Sequence, residues 1–77
     1  MNRILFFAGL KEQIGEGEWS FDAAGLTVED LKETVRQEFG VEQVMTSMTA
    51  VNEEFAQKET IVKEGDTIAF IPPVSGG

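Results

Sequence analysis

The residue types with the clearest chemical use in this 77-residue chain stand together in one segment, Pro72-Pro73-Val74-Ser75-Gly76-Gly77. The two prolines fix their own φ and push the residue before each of them toward extended backbone, so this exit is stiff and cannot turn back as helix. Val74 offers an apolar anchor for a partner's surface, and Ser75-Gly76-Gly77 has almost no side-chain bulk. Glycine accepts nearly any backbone angles, so such a segment can thread a narrow channel and present a carboxylate inside it. A carboxylate is inert until activated; as an acyl-adenylate made with ATP it reacts with sulfur or nitrogen nucleophiles. No glycine-rich phosphate loop occurs in the chain, which assigns the ATP site to a separate enzyme. Two glycines at an end are weak evidence alone, because termini commonly fray. The prolines, and the strand that must precede them, make the combination specific.

Chemistry elsewhere in the chain is hard to assemble. There is no cysteine and no histidine, which removes the thiol nucleophile and the commonest general base. A metal site would have carboxylates alone, suited to calcium or magnesium rather than zinc, and none is expected. The carboxylates are scattered and the lysines stand singly beside acids, so no catalysis is expected of the chain by itself. Fourteen acidic against six basic residues give a formal charge of -8. That disfavours nucleic acid and anionic membranes. It suits a solubilising surface, and it would also steer the chain toward basic partners. Ile4-Leu5-Phe6-Phe7-Ala8 is too short for a signal peptide, and no run reaches the roughly 20 apolar residues of a membrane helix, so the expected location is cytoplasmic.

The elements that must position the tail follow from periodicity. Arg3 to Leu10 is rich in strand formers and reads as a first strand, followed by a short helical turn at Lys11–Ile14 ended by Gly15. Glu18-Trp19-Ser20-Phe21-Asp22 alternates cleanly, with Trp19 and Phe21 on one face, and Gly15-Glu16-Gly17 reads as a hairpin-type connection before it. Thr27 is an N-cap with Asp30 in the capping-box position, and Leu26 with Leu31 forms a hydrophobic staple. Val28, Leu31, Val35 and Phe39 then fall on one helical stripe, and Gly40 suits a left-handed cap. Met48–Val51 is a strand, Asn52-Glu53-Glu54 a turn, Phe55-Ala56 a short return strand, and Lys63-Glu64-Gly65-Asp66 a second turn. Thr67–Ile71 is a final strand that stops at the prolines. This order predicts an α+β, ubiquitin-like β-grasp: a mixed sheet of about five strands with one main helix packed across it, and the first and last strands side by side at its centre. Residues 1–71 form the domain in this reading and 72–77 an extended tail. Phe6 and Phe7 face opposite ways; core burial is the ordinary fate of each, and a partner contact is the alternative for one. Met45 and Met48 either fill gaps beneath a loop or supply an adaptable apolar contact.

Several stretches together resemble the MoaD family, the small subunits of molybdopterin synthase. They are Ile4 to Glu12, Leu26-Thr27-Val28-Glu29-Asp30-Leu31, Ala50-Val51-Asn52, Lys63-Glu64-Gly65-Asp66 and, most specifically, Phe70-Ile71-Pro72-Pro73-Val74-Ser75-Gly76-Gly77. The resemblance spans nearly the whole chain. It implies a sulfur carrier of molybdenum cofactor biosynthesis, with no cofactor bound to it. By that resemblance Gly77 is adenylated by a MoeB-type enzyme using ATP, converted to a thiocarboxylate, and donates sulfur to cyclic pyranopterin monophosphate. Gly76, Ser75, Val74 and Pro73 would line the path into a MoaE-type large subunit, in a heterotetramer with two copies of each. A thiamine-pathway sulfur carrier and a ubiquitin-like modifier joined to lysines share the same activated terminus and stay open as alternatives.

Overall fold

The computed structural model describes residues 1–73. Its first strand, β1 (Asn2–Phe6), is shorter than the run of apolar residues suggested. Phe7 is still extended, but Ala8 turns left-handed at φ 50°, and the chain leaves the sheet into helix α1 (Ala8–Ile14). Leu10 is therefore a core residue of a helix rather than the end of a strand. Gly15 closes α1 in the left-handed region at φ 89°, its N–H donating to the Lys11 carbonyl. Gly15-Glu16-Gly17 is thus the end of a helical connection, not a simple hairpin turn.

Strand β2 (Glu18–Phe21) runs antiparallel to β1. Helix α2 (Val28–Phe39) follows, starting and stopping where its caps dictate. Thr27 Oγ1 accepts from the Asp30 N–H at 3.1 Å, and Gly40 takes φ 69°. The carbonyls of Thr60 and Lys58 accept from the N–H groups of Val28 and Glu29, so a later loop completes the helix cap. After α2 comes a 3-10 turn, Glu42–Thr46, which periodicity did not announce. Strands β3 (Met48–Val51) and β4 (Glu54–Ala56) form a hairpin, and β5 (Thr67–Ile71) completes the sheet.

The strand order is β2-β1-β5-β3-β4. β5 lies at the centre, parallel to β1 and antiparallel to β3, which is the β-grasp arrangement. One sheet face is covered. Ile4, Phe6, Ile68 and Phe70 meet Leu31 and Val35 of α2, Leu10 of α1, and Val44 and Val62. Phe39, in the last turn of α2, sits edge-on to both Phe6 (5.8 Å) and Trp19 (5.1 Å), while Trp19 stacks on Phe21 at 4.5 Å. Each such aromatic pair adds about 0.5–1.5 kcal/mol beyond its burial.

A buried polar residue fastens the end of the sheet away from the tail. Asn2 is 2% exposed. Its amide donates to the carbonyls of Lys63 (2.8 Å) and Asp66 (3.0 Å), and its oxygen accepts from the Ala23 N–H at 2.9 Å. Both donors are satisfied, so its burial carries no unpaired-donor penalty.

Candidate functional site

The tail begins where the central strand runs out of partners. Ile71 is the last residue of β5 and lies opposite Met48 of β3. On the other side, β1 ends at Phe6, opposite Phe70. Pro72 is buried and Pro73 exposed. Pro73 is the only one of the expected site residues within the described part of the chain; Val74, Ser75, Gly76 and Gly77 lie outside it. The two ladders that grip β5 give its exit a fixed frame, whereas an edge strand would be held on one side only.

Beside that exit lies the uncovered face of the sheet. Paired residues share a face, so the register lines up Leu5 with Ala69, Ala69 with Ala50, and Ala50 with Phe55. Met48 and Ile71 form the next row toward the tail. All of these side chains but Met48, with Phe7, line a groove of about 550 Å³, to which Arg3, Asn52, Glu53 and Thr67 also contribute. Phe55 is 74% exposed, Met48 46% and Phe7 44%. Phe6 is buried, so the phenylalanine pair divides between core and surface, and Phe7 does not take the ordinary fate of burial. Met45 packs partly against the core, whereas Met48 belongs to the open face. Exposed apolar side chains gathered on one face are the material from which interaction surfaces are built.

Charges stand at one end and one edge of this face: Arg3 and Glu53 line the groove, and Glu18 is paired with Leu5 across the β1–β2 ladder. Arg3 holds Glu18 in a two-pronged ion pair, Nη2 to Oε1 at 3.0 Å and Nε to Oε2 at 3.1 Å. The Arg3 hydrogen bond and charge pull the Glu18 carboxyl below the usual range and raise the Arg3 guanidinium. Glu53 and Glu54 stand exposed at the β3–β4 turn. Lys32 is engaged elsewhere: its Nζ donates to the Ser47 carbonyl at 2.7 Å, and burial lowers its pKa. Among the described residues no three acidic side chains converge as a cation site. What the described geometry offers is an open, largely apolar face and a framed exit of the central strand rather than a set of reacting side chains.

Comparison with known proteins places this arrangement. The ThiS family matches residues 4–77. The chain belongs to the ThiS family. Within it, the expected resemblance to MoaD-type subunits is borne out over the full length. The molybdopterin synthase sulfur carrier subunit of Chlamydomonas reinhardtii is 35% identical, over 97% of this chain and 96% of the relative. Among solved structures, the small archaeal modifier protein 1 of Methanosarcina acetivorans superposes with a TM-score of 0.81 at 22% identity, covering 99% of this chain and 95% of that one. A complex of subunits 1 and 2 of the molybdopterin-converting factor from Helicobacter pylori matches at a TM-score of 0.69 and 24% identity, over 99% and 97% of the two chains. These structural likenesses bear out the ubiquitin-like β-grasp. No helix among the described residues is long and apolar enough to cross a membrane.

Sequence reasoning singled out the tail, of which only Pro72 and Pro73 lie within the described residues, and missed the open face. Leu5, Phe55 and Ile71 come from three different strands, and only the register brings them together. The available signal was parity: Leu5 and Phe7 alternate with Ile4 and Phe6, and Ile71 with Phe70.

Proposed function

We propose that the chain is the sulfur-carrying small subunit of a molybdopterin synthase. The observation that carries this reading is the central strand β5, which leads into the Pro-Pro-Val-Ser-Gly-Gly segment beside an exposed apolar face, in a chain related over its whole length to sulfur carrier subunits. The Gly77 carboxylate attacks the α-phosphate of ATP on a MoeB-type enzyme, giving an acyl-adenylate and releasing pyrophosphate. A sulfur nucleophile then displaces AMP and leaves a thiocarboxylate. Docked on a MoaE-type large subunit, the tail presents that sulfur to cyclic pyranopterin monophosphate. Carrying sulfur on the main-chain terminus requires no thiol, in keeping with a sequence without cysteine.

The open face is the docking surface in this reading. It adjoins the exit of the tail, so seating the face also aims the thread. Its acidic border suits a partner whose apolar patch is ringed by lysine and arginine. The Helicobacter pylori complex of subunits 1 and 2 supports a large subunit as that partner; a heterotetramer with two copies of each subunit is the assembly this reading carries.

Intact-mass measurement after incubation with ATP, an activating enzyme and a sulfur donor tests the chemistry. The expected product is heavier by one sulfur-for-oxygen exchange, and deletion of Gly77 abolishes it. Lysine-linked adducts in place of that product would instead establish the modifier chemistry suggested by the archaeal fold relative. Sulfur delivered to a thiazole precursor, and not to the pyranopterin, would assign the chain to the thiamine branch.

A further inference from the structure

Burial alternates along β5, and the alternation outlasts the strand. Ile68 and Phe70 are buried, Ala69 and Ile71 half-buried, Pro72 buried again, and Pro73 exposed. Yet the ladders end earlier, at Phe70 on the β1 side and Ile71 on the β3 side. Pro72 is therefore held by burial of its ring and not by strand pairing. Proline has no N–H, so leaving the ladder at this residue strands no donor. Its parity puts it on the helix-covered side with Phe70, one residue past the point where hydrogen bonding stops.

We propose that Pro72 is the positioning residue of the tail: its buried ring, one step beyond β5, fixes where and in which direction the terminal segment leaves the body. The two prolines then have separate duties. Pro72 anchors, whereas exposed Pro73 only stiffens. The functional consequence rests on the carrier reading above. Residues 73–77 span at most about 17 Å when extended, so the anchor limits how far from the docking face a partner's reacting centre can lie. Releasing Pro72 moves the anchor back to Ile71, adds about 3.5 Å of slack and widens the cone of approach. A misplacement of about 1 Å can cost roughly 100-fold in rate; a tail that can still find its target loses less, on the order of 10-fold.

The test compares Pro72→Gly, Pro73→Gly and Pro72→Val, the last keeping an apolar residue that favours extended backbone. Nitroxide labels at Ser75→Cys and Gln37→Cys report the tail's position by pulsed electron resonance, and no native cysteine interferes. Pro72→Gly is expected to broaden the distance distribution clearly, Pro73→Gly much less, and Pro72→Val to keep the original width. In single-turnover transfer to the pyranopterin on the large subunit, Pro72→Gly is expected to be about 10-fold slower and Pro72→Val to stay within twofold of the parent, with Kd for the large subunit within twofold for both. Equal broadening by both glycine variants, or undiminished transfer by Pro72→Gly, overturns the anchor. The two readings fail differently. Distances that behave as expected in a chain that never acquires sulfur uphold the anchor and sink the carrier reading; normal sulfur loading with unchanged Pro72→Gly distances does the reverse.

Discussion

Phe55 stands on the outermost strand with 74% of its surface exposed, so most of what its ring can contribute is withheld until a partner covers it. Full burial of a phenylalanine is worth about 1.5–3 kcal/mol. Three quarters of that, about 1–2 kcal/mol, is available on docking, given the 74% exposure. Phe55→Ala is thus expected to weaken binding to the large subunit roughly 5- to 30-fold, at about 1.4 kcal/mol per decade. The remaining quarter, about 0.4–0.8 kcal/mol, is already realised against the sheet. In a domain of this size that corresponds to a fall in Tm of about 2–6 °C. Calorimetric titration gives the first number and a thermal melt the second. A Kd within twofold of the parent, beside a small Tm change, would refute the open face as the docking surface. A Tm loss above about 10 °C would show instead that Phe55 supports the fold, contrary to its exposure.

Three further outcomes are expected. Glu53 holds φ 70° beside Asn52 at φ 52°, the left-handed pair of a type I′ turn, where glycine is the favoured second residue. Glu53→Gly should therefore raise Tm, by up to about 4–8 °C for each kcal/mol of relieved strain, and a lower Tm would contradict the turn geometry. The Asp66 carboxylate accepts from the Lys63 N–H and the Asn52 amide, both at 2.9 Å, which pulls its pKa below the ordinary value. A depressed folded pKa gives stability that is present above about pH 4 and lost as acid carries the pH down through the folded value. Melts from pH 6 to 2 should therefore show Asp66→Asn destabilised at the upper end and converging on the parent at the lower; parallel curves would refute this. Gly76→Trp should leave Tm within about 1 °C, as expected of a terminal residue. It should cut sulfur transfer by on the order of 100-fold through failed threading, and single-turnover rates beside the melt decide it.

Legibility in the sequence followed the local signals. Helix α2 was readable to its ends because Thr27 and Gly40 are chemical punctuation and its stripe runs for several turns. β5 was readable because Pro72 and Pro73 cannot extend a ladder. The first strand was overrun because nothing in Phe7-Ala8-Gly9 announces a left-handed turn at an alanine, and a seven-residue helix is too short to establish a period. The turn at Glu42–Thr46 escaped for the same reason. The tail could be recognised without any fold, since its argument is about bulk and a carboxylate. The open face could not, because it exists only once non-adjacent strands are in register.

The central place of β5 has a consequence for how the molecule is made. β1 leaves the ribosome well before its parallel neighbour, which lies more than 60 residues later, from Arg3 opposite Thr67 to Phe6 opposite Phe70. Until β5 arrives, β1 and β3 have no strand between them, and the long loop that joins the two halves is unclosed. A truncated or stalled chain therefore lacks the middle of its sheet. The strand that completes the body is also the one that leads into the Pro-Pro-Val-Ser-Gly-Gly segment, so in the proposed carrier reading a body ready to dock is one that has finished folding.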